Sequence, residues 1–237
     1  MLKISIIISV YNSHEIVRRQ IEWWKQLELP DDVEIILIDD GSYPAIKGEM
    51  FNLSIYKTNN NLAWTQGLGR NLGAEKAQGR YLFMTDIDHI ISSKAINDVY
   101  NFDGNKMIFR RQIGVLDKDG NVKQDKETLK DWGYENKDLD ASVHGNTFAM
   151  RKETFDALGG YKPKHSLIGY HPVSHKGDDC YFNAKWNKMF RGEKPTMGSD
   201  IYMFPIGRFN KDCDLNPKGL FHDLSQTRQD KFYKNGL

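Results

Sequence analysis

The chain has 237 residues, and its 33 lysines and arginines almost balance its 32 aspartates and glutamates. This length suits one large domain with a substantial core, and the balanced charge argues against an extended nucleic-acid surface and an acidic disordered tail. Two cysteines are too few for a disulfide framework or a zinc site, and no apolar run is long enough for a transmembrane segment. Since no secretory signal pattern precedes the first strand-like segment, we expect a cytoplasmic protein, either free or peripheral to a membrane.

The first 90 residues alternate between strand-like and helix-like segments. The strand-like segments are β-branched and nearly all apolar, as in strands that are buried on both faces. Such alternation predicts a mostly parallel sheet flanked by helices on both faces. The predicted strands are 3–10, 33–38, 53–57 and 80–85, and the predicted helices are 14–27, with Ser13 as N-cap, and 66–78, with Gly79 as C-terminal cap.

The second half carries shorter and less regular patterns. Because no repeat or low-complexity linker separates it from the first half, we expect residues 1–237 to form one domain. The predicted strands are 106–113, 143–150 and 199–206, the predicted helices are 152–158 and 178–190, a turn is predicted at 117–120, and a loop at 161–176.

Polar residues follow three of the predicted strands where each strand ends. They are Tyr11-Asn12, Asp39-Asp40 and the pair Asp86 and Asp88. In open parallel sheets, ligands bind outside the carboxyl ends of the strands. An Asp-x-Asp sequence there suits Mg²⁺ or Mn²⁺, which take oxygen ligands. Asp-x-Asp alone is also common in solvated turns, but its apolar flanks and the two other clusters favour a metal site.

The chain resembles the family 2 glycosyltransferases and the wider GT-A fold in five segments. The last two segments also resemble the catalytic half of animal-type galactosyltransferases. The segments are ISIIISVYN (4–12), VEIILIDDGS (33–42), NLAWTQGLGRNLGAEKAQGRYLFMTDID (61–88), GNTFAMRKETFDALGGY (145–161) and GDDCYFNAKW (177–186).

The resemblance implies an α/β GT-A fold with residues 1–100 as the nucleotide-binding half and 101–237 as the acceptor-binding half with a C-terminal tail. It implies a metal-dependent enzyme that moves a sugar from a nucleotide-diphosphate sugar, most often a UDP-sugar, to a hydroxyl of a glycan, lipid-linked or other acceptor. We expect inversion at the sugar; a retaining transferase and a non-catalytic nucleotide-sugar-binding protein are the alternatives.

In the family, the first two clusters at the strand ends hold the nucleotide base and ribose. The resemblance therefore assigns nucleotide contacts to Ser9, Tyr11, Asp39 and Asp40, with Asp39 the better candidate for the base because it directly ends its strand. The structural alternatives are a tyrosine that covers the sheet edge and an aspartate that caps the next helix.

The metal and diphosphate contacts follow from the same resemblance. Arg70 would lie near the diphosphate and Asp86, and a guanidinium binds phosphate or carboxylate with two parallel hydrogen bonds. Asp86 would contact ribose and metal, Asp88 would ligate the Mn²⁺ or Mg²⁺ directly, and His222 would complete the ligand shell. The alternatives are an exposed helix arginine and a surface histidine.

The catalytic base is expected at the start of the predicted helix 178–190. The ungapped match makes Asp179 the base and puts Asp178 against donor or acceptor sugar, whereas an alignment on Phe182-Asn183 shifts the role to Asp178. Two aspartates at a helix start also serve as caps. Asn146 and Trp132 are the expected acceptor or sugar contacts.

Overall fold

A computed structural model describes residues 2–59, 66–132, 140–141, 143–161 and 178–204. Its elements are β1 (Ile4–Val10), α1 (His14–Gln26), β2 (Val33–Asp39), β3 (Leu53–Lys57), α2 (Gln66–Lys76), β4 (Tyr81–Asp86), β5 (His89–Ile90), α3 (Ser93–Tyr100), β6 (Lys106–Ile108), β7 (Arg111–Ile113), β8 (Val115–Leu116), β9 (Val122–Lys123), α4 (Lys126–Asp131), β10 (Asp140–Ala141), β11 (Phe148–Arg151), α5 (Lys152–Ala157), α6 (Asp178–Met189), β12 (Thr196–Met197) and β13 (Ile201–Met203).

The central sheet has the strand order β12-β6-β11-β4-β1-β2-β3. Its first-half strands β4, β1, β2 and β3 are all parallel, as the alternating pattern predicts. Every residue of β1 and β4 is buried, because helices and loops cover both faces of the sheet. The predicted mainly parallel α/β fold is therefore confirmed.

The second half contributes to the same sheet through β11, which is antiparallel to β4 and to β6. A second sheet, of order β10-β7-β13-β5, forms beside it. The predicted strand 106–113 is in fact two strands, β6 and β7, that belong to different sheets, with the chain passing between them at Phe109 and Arg110. The predicted strand 143–150 begins only at Phe148, because residues 144–147 form a turn in which the Thr147 N–H donates to the His144 carbonyl, 3.2 Å.

One of the two predicted helix caps is confirmed in position, and the other is wrong. Ser13 is the N-cap residue of α1, and its carbonyl accepts from the Val17 N–H, but its hydroxyl makes no cap hydrogen bond and donates to the Tyr11 carbonyl at 2.8 Å. Gly79 does not cap α2, which ends at Lys76. The Gly79 N–H donates to the Ser5 hydroxyl, and a Cβ at this position would lie 2.6 Å from the backbone of Ile4 and Ser5. This glycine is thus required because two backbones approach closely.

The glycines of α2 allow this helix to lie directly on β1. A Cβ on Gly69 would be 2.6 Å from the Ser9 hydroxyl oxygen, and a Cβ on Gly73 would be 2.3 Å from Ile7 Cγ2. The spacing Gly-x-Gly-x-x-x-Gly resembles a dinucleotide-binding fingerprint, but it follows the third strand and not the first, and we therefore predict a packing role for it. The close contacts confirm that role. Among the described residues, no helix combines the length and apolarity required to cross a membrane.

We predict that Gly79→Ala lowers the free energy of unfolding by about 2 kcal/mol, since the added methyl group meets backbone atoms that cannot move without disturbing β1. Urea denaturation measures the change. Gln78→Ala is the matched control, because Gln78 is exposed and uses its backbone N–H to contact Glu34. Equal stabilities of the two variants would contradict the close-approach interpretation.

Candidate active site

The three polar clusters of the sequence meet at the carboxyl edge of the central sheet. In the strand register, Ser9 of β1 lies opposite Asp86 of β4, and Val10 lies opposite Asp39 of β2. The parallel direction of these strands brings their last residues to one edge, so residues far apart in sequence become neighbours.

A buried ion pair lies at the centre of this edge. Arg70 of α2 donates from Nη2 to Asp86 Oδ1 at 2.8 Å, and both side chains are almost fully buried. Gln66, the first residue of α2, donates to the same oxygen at 2.5 Å. Arg70 thus lies beside the first aspartate of the Asp-x-Asp, where the family resemblance expects it, and is not an exposed helix arginine.

The second amino group of Arg70 is held by Tyr161. Nη1 donates to the Tyr161 hydroxyl at 2.8 Å, and Tyr161 is fixed by two hydrogen bonds between its backbone and the Asn71 amide, 2.8 and 2.9 Å. Burial by itself lowers the pKa of Arg70, yet Tyr161 and Asp86 raise it overall. The guanidinium is therefore charged, and each of its two terminal nitrogens donates a hydrogen bond to another side chain.

Two histidines complete a group of metal-ligating side chains around Asp86. The ligand atoms of Asp86, His89 and His144 all lie within 4.8 Å of one another. His144 Nδ1 is 3.8 Å from Asp86 Oδ2, and the two imidazole rings are in edge-to-face contact at 5.4 Å. His89 comes from β5 of the second sheet, and His144 comes from the turn before β11. We call these three residues the Asp86 cluster.

Burial keeps both histidines neutral. It lowers the pKa of His89 to about 4 and also lowers the pKa of His144. At His89, Nε2 accepts from Arg111 at 3.4 Å, so Nδ1 carries the proton and donates to the Thr147 hydroxyl at 2.6 Å. Neutral imidazole together with carboxylate is a donor set that suits Mn²⁺. His144 is the histidine whose ring nitrogen directly faces Asp86.

Asp88, the second aspartate of the motif, does not belong to the Asp86 cluster. Its backbone carbonyl accepts from the Phe204 N–H at 2.7 Å, and its side chain is buried. Among the described residues, no hydrogen-bond donor contacts its Oδ1. A buried carboxylate oxygen without a donor is the kind of group that a cation satisfies. The Asp86 cluster and this oxygen therefore fit a divalent ion, while His222 lies outside the described residues.

The expected nucleotide contacts lie at the ends of β1 and β2. Ser9 is buried beneath α2, and Tyr11 is largely buried at the end of β1. Asp39 accepts from the N–H groups of Ser42 and Ile46, 2.8 and 2.9 Å, which folds the following loop around its carboxylate. Asp40 accepts from the Thr58 hydroxyl at 2.9 Å. No helix follows for these aspartates to cap, and their nucleotide-binding role stays a prediction.

The loop after β2 is fastened to the end of β1. Asn12 has a left-handed backbone, φ 46°; its N–H donates to the Ser42 hydroxyl, and its side-chain oxygen accepts from the Tyr43 N–H, each at 2.9 Å. These bonds leave the Tyr43 side chain 92% exposed at the same edge as Asp39. The loop after β2 is thereby held against the end of β1 by hydrogen bonds within the protein itself.

The helix α6 begins at Asp178 and brings Asp179 within electrostatic range of Arg70 and Tyr161. Asp179 is half-buried, and its charge contributes to the raised pKa values of Arg70 and Tyr161, although burial is the largest influence on both. Its Oδ1 accepts from the Cys180 N–H at 2.8 Å. The Asp178 side chain lies outside what the structure describes, so the choice of base between the two aspartates stays open.

The two expected sugar contacts differ in position. Asn146 lies in the turn beside His144, where its N–H donates to His144 Nδ1 at 3.4 Å. Trp132 is 5% exposed and packs edge-to-face on Phe204 in the core, ring centroids 5.1 Å apart. The indole therefore does not form an exposed sugar platform, because it is part of the hydrophobic core.

Sequence reasoning missed Gln66, His89, His144 and Tyr161. Local signals for two of them were present: His89 directly follows Asp-x-Asp, and His144 directly precedes the GNTFAM segment. The approach of these two histidines to Asp86 depends on strand pairing in the second sheet and on the turn before β11. Neither can be read from a local sequence pattern.

Comparison with known proteins gives consistent matches. Residues 5–150 match the sequence profile described as Glycosyl transferase family 2. The chain is 28% identical over 132 residues to the Staphylococcus aureus (strain N315) poly(ribitol-phosphate) beta-N-acetylglucosaminyltransferase TarP, an alignment that covers 52% of this chain and 40% of that protein. The chain thus spans less than half the length of this relative.

Solved structures share the fold at low sequence identity. S. aureus TarS 1–349 in complex with UDP-GlcNAc matches with a TM-score of 0.53 and 14% identity, covering 86% of this chain and 58% of that one. The mannosyltransferase PcManGT from Pyrobaculum calidifontis, in complex with GDP-Man and Mn²⁺, also matches with a TM-score of 0.53 and 14% identity, covering 85% and 56%.

We predict that Arg70→Met lowers the free energy of unfolding by about 3 kcal/mol, since it leaves the buried Asp86 carboxylate without its counter-charge. The same substitution costs less in an Asp86→Asn background, where no charge remains to be paired. Tyr161→Phe, which removes one hydrogen bond, costs only about 1 kcal/mol. A double-mutant cycle by chemical denaturation measures the coupling, and strict additivity would contradict a stabilising ion pair.

Proposed function

The chain belongs to glycosyl transferase family 2, and we propose that it transfers a sugar from a UDP-sugar to an acceptor hydroxyl in a metal-dependent, inverting reaction. One observation carries this proposal: the Asp86 cluster lies at the carboxyl end of β4, beside the buried Arg70, on which the charge of Asp179 from α6 also acts. The proposed metal, nucleotide and base positions would thereby share one edge of the sheet.

The Asp86 cluster is the proposed metal-holding part of the site. Asp86 and His144 provide one carboxylate and one neutral imidazole, and the buried Asp88 oxygen is a further acceptor. His89 would join them only if an ion replaced Arg111 at its Nε2. A divalent ion, when bound there, supplies positive charge to the diphosphate that leaves the sugar. The chemistry of the ligand set favours Mn²⁺, and the Mn²⁺ complex of PcManGT supports the same choice by analogy of fold.

Arg70 acts in this proposal as a positioning residue. Its two terminal amino groups hold Asp86 and Tyr161, so its role is to fix the orientation of the Asp86 carboxylate at the strand end. Gln66 fixes the same oxygen from the first turn of α2. The second carboxylate oxygen of Asp86 faces His144, which is the direction of the proposed ion.

Asp179 is the proposed general base. The acceptor hydroxyl attacks the anomeric carbon, its proton passes to the Asp179 carboxylate, and the bond from the anomeric carbon to the diphosphate oxygen breaks as the new bond forms. Two observations support this assignment: Asp179 is half-buried in the first turn of α6, and its charge acts on Arg70. Asp178 occupies the donor-sugar or acceptor-sugar side in the same scheme.

UDP-GlcNAc is the first donor to test. The name of TarP and the UDP-GlcNAc complex of TarS support this choice for a relative and for a structural neighbour. The nucleotide would lie over Tyr11, Asp39 and Asp40 in the first half of the chain, and the acceptor would enter from the side of α6 and Asn146.

We predict that His144→Ala weakens Mn²⁺ binding at least tenfold, because a direct ligand is lost from the Asp86 cluster. Isothermal titration of the protein with MnCl₂ measures the affinity without any substrate. His14→Ala is the control, since His14 contacts only the Pro44 carbonyl by hydrogen bond among the described residues. If Asp88→Asn weakens binding and His144→Ala does not, the ligands are the two aspartates of the motif.

We also predict that Asp179→Asn slows sugar transfer at least a hundredfold, because an amide cannot accept the proton. Asparagine has nearly the same volume as aspartate and caps the start of a helix as well, so the fold should be unaffected. UDP release from UDP-GlcNAc with Mn²⁺ and an acceptor panel gives the rate, and the melting temperature reports folding. An inactive Asp178→Asn variant together with an active Asp179→Asn variant would assign the role of general base to Asp178. Full activity of both variants would refute the inverting mechanism.

A further inference from the structure

Lys106 is a buried cation that the proposed mechanism does not use. It is the first residue of β6 and is 4% exposed. Its ammonium group lies among three aromatic rings, 5.0 Å from the centroid of Phe148, 5.2 Å from that of Trp186 and 5.9 Å from that of Phe182. Burial lowers the pKa of Lys106 to about 8, and burial is the only cause of this shift.

Charged groups on the neighbouring elements are directed elsewhere. Arg151 of β11 contacts Asp103 and the Gly104 carbonyl, and Lys185 of α6 donates to the Gly160 carbonyl. Glu193, which follows α6, accepts from the Asn105 side chain. Within the described ranges, no carboxylate forms an ion pair with Lys106. A buried charge without a counter-charge costs stability, so a role other than packing is indicated.

The single hydrogen bond of Lys106 that the structure describes fixes the orientation of an asparagine. Nζ donates to Asn183 Oδ1 at 2.9 Å. Because an ammonium group can only donate, the amide oxygen of Asn183 must face Lys106, and its Nδ2 must face the other way. That Nδ2 lies 3.0 Å from the position of a Cβ on Gly145, so the amide packs against the backbone of the turn that carries His144.

Asn183 also lies on the same face of α6 as Asp179, which precedes it by four residues. Its neighbour Phe182 stacks on Phe148 and Tyr161, at ring-centroid distances of 5.4 and 4.6 Å. These contacts hold α6 against the sheet. The amide of Asn183 adds a packing contact between α6 and the turn of the Asp86 cluster.

We propose that Lys106 is a positioning residue for sugar transfer: by orienting the Asn183 amide against Gly145, it sets the spacing between the first turn of α6 and the turn at residues 144–147. The inference rests on the proposed function, since that spacing separates the general base Asp179 from the metal ligand His144. A change of spacing misplaces the acceptor hydroxyl relative to the donor sugar.

The test compares Lys106→Met with the native protein in three measurements. Methionine keeps the length and favours contact with aromatic rings, but it removes the charge and the donor. We expect a melting temperature at pH 7 equal to or above that of the native protein, at least tenfold faster hydrogen exchange in residues 143–147, and at least tenfold slower UDP release from UDP-GlcNAc with Mn²⁺. If Lys106 had only a structural role, its replacement would not give a variant that is at least as stable as the native protein and yet less active.

The difference in stability between the native protein and Lys106→Met should depend on pH. Below pH 8, Lys106 is protonated in both the folded and the unfolded chain, so the penalty for burying its charge is fully present. As pH rises from 8 towards the unfolded pKa of 10.5, the folded chain loses this proton first, and the native protein gains stability. The advantage of Lys106→Met in melting temperature should therefore shrink over this range.

Asn183→Asp is the second variant. It keeps the volume and an acceptor for Lys106, adds a counter-charge, and removes the N–H donors that face Gly145. We expect a folded protein with the same faster exchange in residues 143–147 and the same slower UDP release, and the Lys106→Met/Asn183→Asp double variant should be no slower than either single one. Lys188→Met, which removes an exposed charge from the same helix, should match the native protein.

The outcomes separate this inference from the proposed function. Native UDP release and native exchange in both variants, or a loss of activity that follows a lower melting temperature, would overturn the role of Lys106. If the native protein releases no UDP from UDP-GlcNAc or other nucleotide-sugars, the proposed function fails, while the exchange rates still decide whether Lys106 and Asn183 fix the turn.

Discussion

The buried ion pair between Arg70 and Asp86 is the interaction on which the rest of the site depends. It joins the last residue of the central strand β4 to α2, and through Tyr161 it reaches the segment that follows α5. Two charges are costly to bury, and this pair is compensated by short hydrogen bonds from Gln66 and to Tyr161. The pair holds a carboxylate at the strand end in one orientation, with its second oxygen directed to His144.

The site is assembled from two sheets that meet at this carboxylate. β4 provides Asp86, β5 of the second sheet provides His89, and the turn before β11 provides His144. Burial lowers the pKa of both histidines, so both are neutral, and the lone pair of His89 accepts from Arg111. On the opposite side, Lys106 and Asn183 connect the same turn to α6, which carries the proposed base. The proposed metal ligands and the proposed base thus share one structural support.

Strong local patterns made the first half predictable. Strands buried on both faces are recognised by continuous apolar, β-branched runs, and β1, β2, β3 and β4 were all found near their predicted bounds. The prediction that Gly69 and Gly73 pack on β1 is also confirmed, because only their spacing on one helix face was needed. The separate second sheet was not predicted, although its strands β7 and β13 fall within the predicted strands 106–113 and 199–206. Strands of two or three residues are too short for their pattern to assign them to a sheet.

By itself, the sequence determined the parallel α/β sheet and the grouping of Asp39, Asp40 and Asp86 at its carboxyl edge, because strand direction follows from local periodicity and short connections. Only the tertiary structure decided which side chains face one another there. It placed Trp132 in the core, brought His89 and His144 to Asp86, and set Lys106 beneath α6. The physical reason is that pairing between sheets and burial of charge depend on contacts between residues distant in sequence, which no local pattern records.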